Sequence, residues 1–71
     1  GSIDNAIKFY DELISKIKNI PNNPFSFRQK ENSIDENTRE LIFKGYTIPF
    51  EIDRKNSKIV ILGIFKQNLW Q

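Results

Sequence analysis

Seventy-one residues make one domain near the lower size limit at which a single apolar core outweighs chain entropy, so a partner that adds buried surface is expected. With no cysteine and no histidine, disulfides, thiolate metal sites, cysteine nucleophiles and histidine general bases are excluded; no metal and no cofactor are expected, and Lys, Arg, Tyr, Asp, Glu, Ser and Thr are left to carry any chemistry. A net charge of +2 permits contact with nucleic acid or an acidic peptide without arguing for it, and the longest apolar run, Ile59 to Phe65, is too short to span a bilayer, so a cytoplasmic chain with no membrane partner is expected.

The opening Gly1-Ser2 reads as the remnant of a cleaved tag, with Ile3 falling in the middle of a natural chain. From there Ile3, Ala6, Ile7, Tyr10, Leu13, Ile14, Ile17 and Ile20 recur at steps of three and four, the stripe of an amphipathic helix over 3–20. Lys16 and Lys18 suit the negative pole of the helix dipole, and Pro21 stops the helix because its ring excludes the helical ladder. Phe9 lies off the stripe and reads either as a contact for a partner or as a partly shielded aromatic.

Residues 21–38 are polar, turn-rich and without clean period, and are predicted as a loop, with Phe25 and Phe27 tucked under the helix end. From Arg39 the period changes to two. Leu41 and Phe43 share a strand face, Lys44-Gly45 makes a tight connection, and Tyr46, Ile48, Phe50 and Ile52 alternate with Thr47, Pro49, Glu51 and Asp53. Lys58 to Phe65 is apolar on both faces and is expected to be the most buried strand. Pro49 is discordant in a strand and implies either an amide turned away from pairing or a bulge, and Gly63 marks a bulge or a close approach. The fold class is therefore α+β: one long N-terminal helix packed on a three-stranded antiparallel meander, all in a single domain over 1–71, with the sheet over 39–67 and a tail over 68–71.

The run Arg39-Glu40-Leu41-Ile42-Phe43-Lys44-Gly45-Tyr46-Thr47-Ile48-Pro49-Phe50-Glu51-Ile52-Asp53, followed by Lys58-Ile59-Val60-Ile61-Leu62-Gly63-Ile64-Phe65-Lys66-Gln67, resembles the C-terminal half of the RelE/ParE superfamily of toxins from type II toxin–antitoxin systems. The helix from Phe9 to Ile20, with Pro21 and Pro24-Phe25, is similar to that family's long helix and its link to the sheet. The resemblance implies a truncated copy without the family's first strand and first helix, and a sheet edge open to another chain, a homodimer included. It also implies a cognate antitoxin as partner and a role in plasmid stabilisation.

RelE-like members cleave ribosome-bound messenger RNA with several Arg and Lys residues and a C-terminal Tyr; ParE-like members lack that set and poison DNA gyrase. Here Thr47 stands where an arginine is usual, and the tail reads Lys66, Gln67, Asn68, Leu69, Trp70. Arg39, Tyr46 and Lys66 are the remaining catalytic candidates, too few for the nuclease set, so the ParE-like reading leads and enzyme activity stays open. The alternatives are a RelE-like endoribonuclease with rearranged residues, which would touch RNA through the ribosome, and an inactive fragment that binds antitoxin or dimerises. Lys44, Lys66, Gln67, Trp70 and Phe9 are the candidate partner contacts. Each also has an ordinary reading: Arg39 as half of an ion pair, Tyr46 as a core ring with its hydroxyl at the rim, Lys44 as a solvated charge, Trp70 folded back on the sheet or helix.

Overall fold

The apolar stripe at the head of the chain forms helix α1, Ser2–Asn19, in the computed structural model, which describes residues 1–29 and 34–66. Pro21 and Pro24 then open two short 3-10 turns, Ile20–Asn22 and Pro24–Ser26, each suited to a residue with fixed φ and no amide donor at its start. The strands follow as β1 (Arg28–Gln29), β2 (Thr38–Phe43), β3 (Tyr46–Asp53), β4 (Lys58–Ile61) and β5 (Phe65–Lys66). All pair antiparallel in the order β1-β2-β3-β4, with β5 also on β3. The fold is thus the expected α+β arrangement.

The helix meets the sheet through Phe9, Leu13, Ile17 and Ile20, of which Leu13 and Ile20 are buried and the other two half-buried against the core. At 100° per residue these four lie within an arc of about 80°. Ile3, Ile7, Tyr10 and Ile14 continue the apolar surface round one flank, beyond what a single sheet can cover, and Ile3, Ile7 and Tyr10 remain 75%, 56% and 61% exposed. The sequence stripe is therefore wider than the buried face and displaced from it, and Phe9 belongs to the buried side.

Across the layer, the register Leu41↔Ile48 and Phe43↔Tyr46 sets one face of the β2–β3 hairpin against the helix. Ile48, Phe50 and Ile20 are fully buried there, and Phe27 closes the core edge-on to Phe50 at 5.4 Å between ring centres. The hairpin turn is tight: Lys44 at φ 46° and Gly45 at φ 83° both occupy the left-handed region that a two-residue turn between twisted strands requires.

Three expectations are corrected. Part of the segment 21–38, expected to be a loop, is strand: Arg28 and Gln29 pair with Glu40 and Arg39, and β2 opens at Thr38. A two-residue strand has no period to read; its partner across the intervening loop creates it. The sheet accordingly has five strands rather than a bare three-stranded meander. Finally, β3 is the most buried strand, whereas β4 has Val60 and Ile61 exposed. Apolar residues on both faces favour burial, but among the described residues β4 has a ladder partner on one side only.

Pro49 and Gly63 turn out to share one cause. Phe50 pairs with Ile61 while Thr47 pairs with Phe65, so Leu62, Gly63 and Ile64 stand opposite only Ile48 and Pro49, which is a bulge. Pro49 accepts from the Leu62 amide at 2.9 Å, and because a strand residue turns its amide and carbonyl to the same neighbour, its missing donor falls where the ladder is already interrupted. A Cβ on Gly63 would lie 2.6 Å from the Phe65 ring, so any side chain there would require that ring to move.

Leu13→Ala is expected to lower unfolding free energy by about 2–5 kcal/mol, as buried Leu truncations do. Ile3→Ala on the exposed flank should change it by less than about 0.5 kcal/mol. Urea unfolding of the two variants checks the assignment of the buried arc, and equal losses would overturn it.

Candidate functional site

The β2–β3 turn places Lys44 over the helix, where its Nζ donates to Glu12 Oε2 at 2.7 Å and lies 5.3 Å from the Phe43 ring centre. That hydrogen bond, and then the ammonium charge, hold the Glu12 carboxyl below the usual carboxylate range. Beneath the turn Phe9 packs 5.5 Å from Phe43 and 5.7 Å from Tyr46, ring centre to ring centre. Phe9 and Tyr46 are half-buried against the core, and Phe43 is buried within it. Lys66 stands opposite Tyr46 across β3 and β5 and is exposed.

Arg39 sits at the other end of the sheet. Its Nη1 donates to the Phe27 carbonyl at 3.0 Å and its Nε to the Glu36 carbonyl at 2.8 Å, while the guanidinium lies 5.3 Å from the Phe25 ring centre. Arg54 stacks on Phe25 at 4.6 Å and donates to Asn37 Oδ1 at 2.8 Å. Phe25 is thus flanked by two cations, and Asp35 fixes the adjoining turn by accepting from the Asn37 amide and the Thr38 hydroxyl at 2.9 and 3.0 Å. These arginines hold the chain before β2 to the sheet.

The three catalytic candidates are therefore split. Tyr46 and Lys66 are neighbours, but Arg39 pairs with Phe50, four residues along β3 from Tyr46, or about 13 Å at strand rise. Cleavage of a phosphodiester needs its cations and its acid or base within hydrogen-bond reach of one reacting group. Gln67 and Trp70 lie outside the described residues.

Sequence reasoning missed the pair on the sheet face turned away from α1. Arg28 Nε donates to Glu40 Oε1 at 2.7 Å, and Glu40 is only 4% exposed. Nothing local signals it: the two residues meet because β1 pairs with β2. Thr47 and Pro49 are buried on the same face as Glu40. A cleft of about 270 Å³ lies at the C-terminal end of α1, walled by Pro21, Pro24, Ile52 and Ile59 and edged by Arg54 and Lys58.

The described surface thus carries an exposed apolar helix flank, a cleft with cations at its rim, and two arginines bonded within the fold. Among the described residues no group of three or more Asp and Glu side chains is placed to hold a metal ion, and no helix is long and apolar enough to cross a membrane.

A protein-family model described as the ParE toxin of the type II toxin–antitoxin system parDE matches residues 1–68. No curated protein and no solved structure matches the chain.

In Lys44→Ala the Glu12 carboxyl should titrate at higher pH than in the parent, nearer the ordinary glutamate range, which NMR of the side-chain carboxyl would read. The sign follows from the lowered folded value: the contact contributes stability above the unfolded pKa and loses it as pH falls through the folded one, so the variant should show a weaker dependence of stability on acid. Arg28→Ala removes a charged hydrogen-bond partner from the buried Glu40 carboxylate and is expected to cost about 1–3 kcal/mol by denaturant unfolding.

Proposed function

The chain belongs to the ParE toxin family of type II toxin–antitoxin systems, and from that premise we propose that it acts by protein binding, poisoning DNA gyrase, and that a cognate antitoxin neutralises it by covering its apolar surface. The observation that carries this reading is the separation of Arg39 from Tyr46 and Lys66, with Arg39 committed to two backbone carbonyls. With Arg39 bonded to its own backbone and set apart from Lys66, the fold is poorly equipped to stabilise phosphorane charge. The exposed Ile3, Ile7 and Tyr10 flank supplies apolar contact area of the kind an amphipathic antitoxin segment covers.

The RelE-like endoribonuclease reading retains one supporting observation, the adjacency of Lys66 and Tyr46 across β3 and β5. Purified protein incubated with gyrase and plasmid should stabilise cleaved DNA and lose that effect when the antitoxin is added. Cleavage of messenger RNA in a translation extract that disappears in Lys66→Ala would replace the gyrase reading with the nuclease one. Binding to neither gyrase nor antitoxin, with growth unharmed on expression, would leave the inactive-fragment reading.

A further inference from the structure

Strand β4 is apolar on both faces and yet, among the described residues, forms one edge of the sheet. Ile59 and Ile61 face the helix layer, opposite Ile52 and Phe50, and Val60 faces the other side; Val60 and Ile61 are exposed. Among the described residues β3 is the only ladder partner of β4. The direction of its peptide groups follows from that neighbour. Pro49 turns its carbonyl to Leu62, so by alternation Glu51 and Asp53 also face β4 and exchange hydrogen bonds with Val60 and Lys58. Ile59 and Ile61 therefore aim their amides and carbonyls outward, at the open edge.

We propose that a second copy of this chain pairs antiparallel with β4 about a two-fold axis at Val60. In that register Ile59 stands opposite Ile61 of the partner subunit, Val60 opposite Val60 of the partner subunit, and Lys58 opposite Leu62 of the partner subunit. Both outward-facing peptide groups fall in hydrogen-bonded pairs, giving about four inter-chain bonds. Branched side chains meet branched side chains on each face, and no charge faces its like; an axis at Lys58 would set two ammonium groups opposite one another. The interface is self-complementary, as a two-fold axis demands. Edge pairing over four residues alone falls short of the roughly 800 Å² per partner of a standard interface. Leu62 and Ile64, exposed in the bulge that follows β4, extend the apolar margin along this edge.

The absence of cysteine makes the register directly testable on the full chain, independently of any toxin activity. Val60→Cys would place two thiols at a pair whose Cα atoms are about 4.5 Å apart, inside the range a disulfide spans. Lys58→Cys would place them about 13 Å apart. Mild oxidation should convert the first variant to a linked dimer and leave the second largely monomeric. The parent should sediment at twice the monomer mass at high micromolar concentration, and Val60→Lys, with an unchanged circular dichroism spectrum, should revert to the monomer. Equal cross-linking of both cysteine variants, or a monomeric parent with no linked Val60→Cys product, would overturn the proposal.

Discussion

The whole structure depends on one contact layer, in which Phe9, Leu13 and Ile17 of α1, with Ile20 just after it, lie on Leu41, Phe43, Ile48, Phe50 and Ile52 of the β2–β3 hairpin. A chain of this length has room for one such layer and little else. Each remaining feature either seals that layer or is left bare by its narrowness. Phe27 seals one end against Phe50, the Phe9, Phe43 and Tyr46 cluster seals the other, and the prolines after α1 turn the chain sharply enough to start β1 beside β2.

The polar contacts serve the same layer from outside. Lys44 to Glu12 ties the hairpin tip to the helix, and exposed as both groups are, its contribution is modest and sensitive to salt. Arg39 and Arg54 on either side of Phe25 do more, since they bond to the chain that enters β2 while stacking on an aromatic ring. Both sets of contacts leave the apolar helix flank bare, with Ile3, Ile7 and Tyr10 exposed.

Much of this was legible in the sequence, and the failures have identifiable causes. The helix over 3–20 and the hairpin from Leu41 to Ile52 were readable because periods of 3.6 and 2 survive over several repeats. Pro49 and Gly63 each announced an irregularity, and their opposition across one bulge could be found only from the pairing register. The helix face was misplaced because eight apolar positions span more than the arc that one sheet covers, and nothing in periodicity says which part of a wide stripe is buried. Strand β1 and the Arg28–Glu40 pair were invisible because they exist only through long-range pairing. The candidate residues Arg39, Tyr46 and Lys66 were chosen for their chemistry; only the register shows that one of them lies a strand's length from the others.

The tight turn at Lys44-Gly45 has a consequence for how the chain finds its fold. It joins the two strands that carry most of the core, so the first native contacts, Phe43 with Tyr46 and then Leu41 with Ile48, form between near neighbours in sequence and zip outward with little loop-closure entropy. The helix can then dock on a surface that already exists. Weakening the turn would slow folding, while trimming the helix face would chiefly hasten unfolding.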